Sequence, residues 1–357
     1  MNYRLGAFGW LSGPSFQAQG GAANAGLLDQ RFSLEWVQQY IGLFGGDKDR
    51  VTVMGESAGG GSVMHQITAY GGSQGSVPFQ QAISQSPGFL PLASNYRQEQ
   101  IYNQALQLNN CTSLQDLRQV PTALIMQSNI AQISEASYGW FVYGPVVDGD
   151  FAPAPAGQLL AQGRFDKSLR VMVGHNSDEG LIFTSPYVQT EDLYEEYFRI
   201  PFPGVSSAVV YYLAQQLYPP VFDGTYGYIN ETQRTSLTLS DLVFTCNTFY
   251  LDTAFANRTY AYLFSIPPAL HGQDVPYTYY TGGPPTTSVA NTTVAVAMQE
   301  YFTSFVKTGQ PSAKGMPVFN MYGPNATILD LNYTSISHIL DDTANQRCVW
   351  WQKALYF

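Results

Sequence analysis

Residues 51–61, VTVMGESAGGG, set a short run of β-forming residues against a serine framed by Gly55, Gly59, Gly60 and Gly61. No other stretch constrains the fold as much. The following GSVMHQITAY has helix-like content, so the segment predicts strand, tight reversal and helix. Before it, NAGLLDQRFSLEWVQQYI at 24–41 spaces Leu27, Leu28, Leu34, Trp36, Val37 and Ile41 roughly as one helix face, and GLFGGD stops that helix. Helix, strand, turn and helix in this order make an α/β unit. The pattern Gly-x-Ser-x-Gly recurs at GGSQG, 71–75, but Ser73 follows a helix and has no room for a strand before it. In a chain with 33 glycines that second match is accidental.

A further unit is predicted where VMVG at 171–174 follows the helix-like PAGQLLAQG, and a third strand where TYAYLFSI at 259–266 follows an apolar segment running from Leu237 to Phe255. Helices are expected over 96–109, 205–217 and 291–307, with a last amphipathic piece over 346–356. The Pro- and Gly-rich stretches SPGFLP, YGPVVDGDFAPAPAG and TGGPPTT adjoin apolar anchors and read as loops of one body. No internal repeat is found.

Charge excludes one class of partner. The formal charge is −10, from 26 acidic and 16 basic residues, without a basic run that could follow a phosphate backbone, so nucleic acid is not expected. No apolar stretch is long enough for a transmembrane segment, and MNYRLGAFGWL lacks the cleavage site of a signal peptide. Only 12% of residues are charged, against roughly 25% in average soluble domains. Low lysine content and sequons at Asn110, Asn230, Asn257, Asn291, Asn325 and Asn332 point to the extracellular space or the secretory pathway. Cys111, Cys246 and Cys348 contain no Cys-x-x-Cys spacing and no compact zinc site; one disulfide in any of three pairings, or three thiols, fits them.

A serine on a strand-to-helix reversal has its hydroxyl lifted above the sheet edge, and flanking glycines let strand and helix approach. Ser57 meets this requirement. The unpaired amides at the start of the next helix favour developing negative charge, and the amide of Ala58 is the expected oxyanion donor. The serine still needs a base and the base an orienting acid. Of four histidines, His65 lies two turns along the helix and reads as a core residue, His175 directly follows a strand but precedes any later acid, and His338 reads as a surface residue. His271, in IPPALHGQD after the predicted strand ending at Ile266, is carried on a loop that Gly272 frees. Between serine and histidine, NSDEG follows VMVG and offers Asp178 or Glu179 as the acid; residue chemistry alone does not separate them.

The stretches NYRLGAFGWL, NAGLLDQRFSLEWVQQYIGLFGGDKDRVTVMGESAGG, QAISQSPG, PVVDGDF, VGHNSDEG, HGQD and QRCVWWQKAL, in this order, resemble the type B carboxylesterase family in its fungal form, the esterase and lipase branch of the α/β-hydrolases that also contains cholinesterases. The resemblance covers essentially all of 1–357. It implies an α/β-hydrolase fold, with a mostly parallel central sheet flanked by helices, as one domain. It further implies Ser57 as nucleophile, Glu179 as triad acid, His271 as base, Ala58 as oxyanion donor and Glu56 as an electrostatic neighbour, with Asp274 where a glutamate is usual. A Cys246–Cys348 disulfide is implied, while Cys111 has no counterpart to pair with. The implied reaction is cleavage of small to medium uncharged carboxylic esters, without a metal or other cofactor; nothing is implied about oligomeric state. Family members carry a long segment before the NYR stretch, including an HGGG-type turn, that this sequence lacks. The expectation is therefore an N-terminally truncated form, with an open edge beside VTVM and weak activity. The alternative is a non-catalytic scaffold of the same fold.

Overall fold

The structure, a computed structural model, describes residues 1–90 and 94–356; the end of the SPGFLP loop lies outside them. Among the described residues six strands lie side by side in chain order: β1 Thr52–Glu56, β2 Gln81–Gln85, β3 Arg170–Asn176, β4 Tyr260–Phe264, β5 Thr327–Leu331 and β6 Ile336–Leu340. Neighbours from β1 to β5 are parallel and β6 returns antiparallel. Parallel neighbours need long crossovers, and helices fill these crossovers and flank the sheet in sequence at either end. We number them α1 Ala25–Tyr40, α2 Ala58–Ile67, α3 Asn95–Leu108, α4 Thr122–Ser134, α5 Glu231–Ser240, α6 Cys246–Ala254, α7 Thr292–Thr308 and α8 Gln346–Gln352.

Strand β3 shows how the layers close. Its side chains alternate between faces. Val171 and Val173 join a core with Met64 and Ile67 of α2 and Leu251 of α6, whereas Met172 joins the opposite core with Met298, Phe302 and Phe305 of α7. Both faces are therefore covered, as a parallel sheet requires. The disulfide joins Cys246 at the start of α6 to Cys348 in α8 across a sequence separation of 102, and Cys111 carries a free thiol.

Several expectations shift. Strand β1 runs on through Gly55 and Glu56, and α2 begins at Ala58, so Gly59, Gly60 and Gly61 lie inside the helix. His175 sits within β3 rather than after it. The predicted 205–217 helix is a short α-helix, Ser207–Tyr212, that widens into a π-turn at Leu213–Leu217, and the last helix stops at Gln352. Residues 1–5 have no regular secondary structure. Strand β2, the β5–β6 hairpin and α4 were not expected. In β2 the polar Gln81, Ser84 and Gln85 are all buried and satisfied by hydrogen bonds, so the strand has no apolar period to read.

Strand β1 is the sheet edge among the described residues, and Met54 is 39% exposed. On α1 the expected apolar face divides: Leu27 and Leu34 are buried, while Trp36 and the unremarked Phe32 face outward. The apolar residues wrap round more of the helix than the described sheet can cover.

Helix α2 packs on β1 and β2 at a separation that admits no side chain. A Cβ on Gly55 would stand 2.4 Å from the Gly59 carbonyl, one on Gly60 2.4 Å from the Gln85 oxygen, and one on Gly61 2.4 Å from the Gly88 oxygen. Gly59 differs, since a Cβ there meets open space. Gly60→Ala is therefore expected to lower the unfolding free energy by at least about 2 kcal/mol through overpacking, whereas Gly59→Ala should leave it unchanged or raise it by up to about 1 kcal/mol. Urea unfolding of the two variants measures the contrast.

Candidate active site

The parallel register aligns the carboxyl ends of β1, β2, β3 and β4: Glu56 faces Gln85, Gln85 faces Gly174, and Asn176 faces Phe264. Ligand sites of open α/β sheets form at such ends. Ser57 turns the chain from β1 into α2 with φ 57° and ψ −121°, a conformation that is strained for a residue with a side chain. Three backbone hydrogen bonds hold it. Its amide donates to Gln85 O at 3.0 Å, and its carbonyl accepts from Gly61 N at 2.8 Å and Gly88 N at 2.9 Å. Ala58, at the first helical position, has an amide without an intrahelical acceptor.

His271 reaches Ser57 from the loop after β4. Gly272 adopts φ 77°, as its position in the loop requires, and Asp178 N donates to Ala269 O at 3.0 Å, which ties this loop to the end of β3. The imidazole packs between Phe244, with ring centroids 4.2 Å apart, and Phe183, at 5.3 Å. Its Nε2 is 2.7 Å from Ser57 Oγ and its Nδ1 is 2.5 Å from Glu179 Oε2. A carboxylate only accepts, so Nδ1 carries the proton and Nε2 presents its lone pair to the serine hydroxyl.

Glu179 is fully buried. Its other oxygen accepts from Ser86 Oγ at 2.6 Å and from the Asn176 amide at 2.5 Å. Asp178 points elsewhere and accepts from Ser236 Oγ at 3.0 Å. The tie between the two acids thus ends with Glu179 beside the histidine. Ser86 was not singled out from the sequence, although it follows β2 directly, which is the placement rule that selected the other candidates. Gln85, Tyr262 and the rings of Phe183 and Phe244 were also missed.

Two further carboxylates stand near. Asp274, fully buried, accepts from Gln85 Nε2 at 2.9 Å and Tyr262 OH at 2.8 Å. The Tyr262 ring lies over Gly174, where a Cβ would stand 2.1 Å from it. Burial raises the Asp274 carboxyl, and the nearby Glu179 adds to the rise. Glu56 Oε1 lies 3.5 Å from His271 Nε2 and is buried without a hydrogen-bond partner among the described residues. Burial pushes Glu56 up to about 7; His271 opposes the shift, while Asp274 and Glu179 add to it. For His271 the largest influence is burial, which disfavours charge, but Glu179, Glu56 and Asp274 together outweigh it and raise the imidazole.

The remaining histidines stay apart. His65 is buried against Phe89, and burial drives it down to about 4. His175 is buried next to Thr248, and His338 lies on β6, partly buried rather than at the open surface. Ser73 is exposed at the end of a short helical turn.

A cavity of about 210 Å³ opens over Ser57 and Ala58, walled by Phe89, Leu90, Phe141, Phe183, Val243 and Phe244, with no formally charged residue in its lining among the described residues.

The architecture is that of the α/β-hydrolases. Its fold matches a crystal structure of the Aspergillus niger protein EstA, with a TM-score of 0.85, 27% identity and coverage of 99% of this chain and 73% of that one. The chain belongs to the carboxylesterase family, whose model matches residues 1–351. Similar proteins include carboxylesterase patB of Aspergillus clavatus, 41% identical over 354 residues, and that of Penicillium expansum, 38% identical over the same length; each match covers 99% of this chain and 63% of the relative. A secreted lipase of Arthroderma benhamiae is 33% identical over 89% of this chain and 61% of its own length. The chain thus spans less than two thirds of these relatives.

The raised Glu56 makes a signed prediction. Between its ordinary value near 4.5 and its folded value near 7 the folded chain holds a proton that the unfolded chain has lost, so stability is full below about 4.5 and falls as pH rises through 7. The elevated His271 acts in the same direction at higher pH. Glu56→Gln should remove the first loss, because each tenfold difference in proton affinity between the folded and unfolded chain is worth roughly 1.4 kcal/mol. The variant is expected to exceed the parent in stability at pH 8 by at most about 3 kcal/mol and to differ little from it at pH 4.5. Urea midpoints at the two pH values measure the difference.

Proposed function

We propose that the chain hydrolyses carboxylic esters, with Ser57 as nucleophile, His271 as general base and acid, and Glu179 as the residue that orients the imidazole. One observation carries this reading, the unbroken hydrogen-bonded path from Ser57 Oγ through His271 to the buried Glu179. Oγ attacks the acyl carbonyl as its proton passes to Nε2, which then returns that proton to the leaving alkoxide and leaves an acyl-serine. Water attacks the acyl carbon by the same route, with His271 again taking the proton, and the acid departs with Ser57 restored. Glu179 stabilises the imidazolium formed in each half. In this reading the Ala58 amide is the oxyanion donor.

Glu56, 3.5 Å from Nε2, favours the imidazolium once it is ionised. The uncharged, aromatic lining of the 210 Å³ cavity fits a small to medium uncharged ester. Among the described residues, nothing in that lining supplies the cation cluster that phosphoryl transfer needs.

The same reading places the protein in the secretory pathway. It rests on the Cys246–Cys348 disulfide, on relatives described as secreted lipases and on the absence among the described residues of a helix long and apolar enough to cross a membrane. Among the sequons, Asn110, Asn230 and Asn325 are exposed and are the better glycan acceptors. Asn291 and Asn332 commit their amide nitrogens to Tyr333 O and Ser265 Oγ.

A fluorophosphonate probe should label the folded chain, and Ser57→Ala should abolish labelling; a folded sample that takes no label favours the non-catalytic scaffold. Glu179→Gln should lower kcat by about 10⁴-fold, as loss of the correct tautomer does in serine proteases, with Asp178→Asn costing far less; the reverse order would assign the acid to Asp178. Short-chain p-nitrophenyl esters should have a higher kcat/KM than butyrylthiocholine. A tenfold advantage for the cationic ester would overturn the uncharged-substrate reading.

A further inference from the structure

A second cavity, of about 640 Å³, shares no lining residue with the one over Ser57. It lies against the end of β3 and the turn that follows β6, and its charged lining is Asp178, Asp241, Asp342 and Arg347. Arg347 is committed: its Nε donates to Asp241 Oδ2 at 2.6 Å. With the adjoining Asp341, four carboxylates line or adjoin the cavity against one guanidinium, so the region favours a cation.

His175 lines this cavity and is only 4% exposed. Its Nδ1 lies 3.2 Å from Thr248 Oγ1. The threonine hydroxyl already donates to Thr245 O at 2.6 Å, so it must accept from the ring, and Nδ1 is the protonated nitrogen. With the Nδ1 proton so placed, Nε2 is the nitrogen left to act as a ligand, and it has no hydrogen-bond partner among the described residues. A histidine fixed through one nitrogen and open at the other has the arrangement of a metal ligand with its orienting partner.

The carboxylates complete the set. One ligand atom of His175, one oxygen of Asp341 and one of Asp342 all lie within 4.8 Å of one another. Asp341 is pre-oriented by the Thr343 amide at 2.9 Å, by the Thr343 hydroxyl and by Tyr322 OH at 2.7 Å. Three donated protons on a carboxylate with about four lone-pair positions leave one position open. Asp342 is exposed and free to swing in. Bonds of about 2.0–2.2 Å from one ion to a nitrogen and two oxygens need donor separations of roughly 3–4 Å, within reach of a side-chain rotation at Asp342.

We propose that His175, Asp341 and Asp342 bind a zinc-type divalent cation, with water from the cavity filling its remaining positions. The imidazole selects such an ion over calcium or magnesium, which prefer all-oxygen sites. The ion ties the end of β3, four residues before Glu179, to the turn after β6. It takes no part in the ester chemistry proposed at Ser57, and the site stands or falls independently of that chemistry.

Isothermal titration of zinc chloride into the chelator-treated 357-residue chain tests the site. One ion per chain is expected, with affinity weakened at least tenfold in Asp342→Asn and lost in His175→Ala, unchanged in His338→Gln, and no comparable binding of calcium chloride. Should His175→Ala fail to fold, the exposed Asp342→Asn carries the test. Absence of saturable zinc binding, equal affinity in Asp342→Asn and the parent, or loss of the ion in Cys111→Ser would overturn the proposal.

Discussion

The site depends on the contact between the backbone of α2 and the backbones of β1 and β2, with no side chain between them. Gly55, Gly60 and Gly61 leave that space empty, which lets Ser57 reverse the chain within one residue. The strain at Ser57 is held by hydrogen bonds to Gln85, Gly61 and Gly88. The same close approach sets the hydroxyl at the carboxyl end of the sheet, level with the ends of β3 and β4 that bring the acid and the imidazole.

Around the imidazole, three carboxylates occupy three different environments. Glu179 is buried and accepts three hydrogen bonds. Asp274 is equally buried and is held by Gln85 and Tyr262. Glu56 is partly exposed, yet its inner oxygen has no partner among the described residues. Burial of a carboxyl favours its neutral form unless charge or hydrogen bonds restore the ion. This difference makes Glu56 the group poised to change charge near neutral pH, while Glu179 is held in place by its three hydrogen bonds. Geometry rather than residue type separates their tasks.

Much of this was legible in the sequence. The strand–serine–helix order around Ser57, the loop carrying His271 and the strand before Asp178 and Glu179 all followed from local pattern, because each depends on glycine placement and short apolar runs. Other elements were not legible. Strand β2 reads as polar because Ser84 and Gln85 spend their hydrogen bonds on Gly60 and Asp274, partners distant in sequence. Helix α4 escaped notice because its burial is inverted: Ser128 and Gln132 face inward while Met126, Ile130 and Ile133 face solvent.

The sequence by itself determined the element types near the serine, the candidate nucleophile and base, and the narrowing of the acid to two adjacent residues. Resemblance to a family, rather than pattern, favoured Glu179 and paired Cys246 with Cys348. Tertiary structure decided what adjacency in the chain leaves open: Asp178 turns to Ser236 and Glu179 to His271, and Ser86, just after β2 and 93 residues away in sequence, joins the acid. It also gathered His175 with Asp341 and Asp342, more than 160 residues apart in sequence, at one end of the sheet. Local propensity acts over a few residues, whereas hydrogen-bond partners and low-dielectric surroundings are assigned only when the sheet brings distant strand ends together.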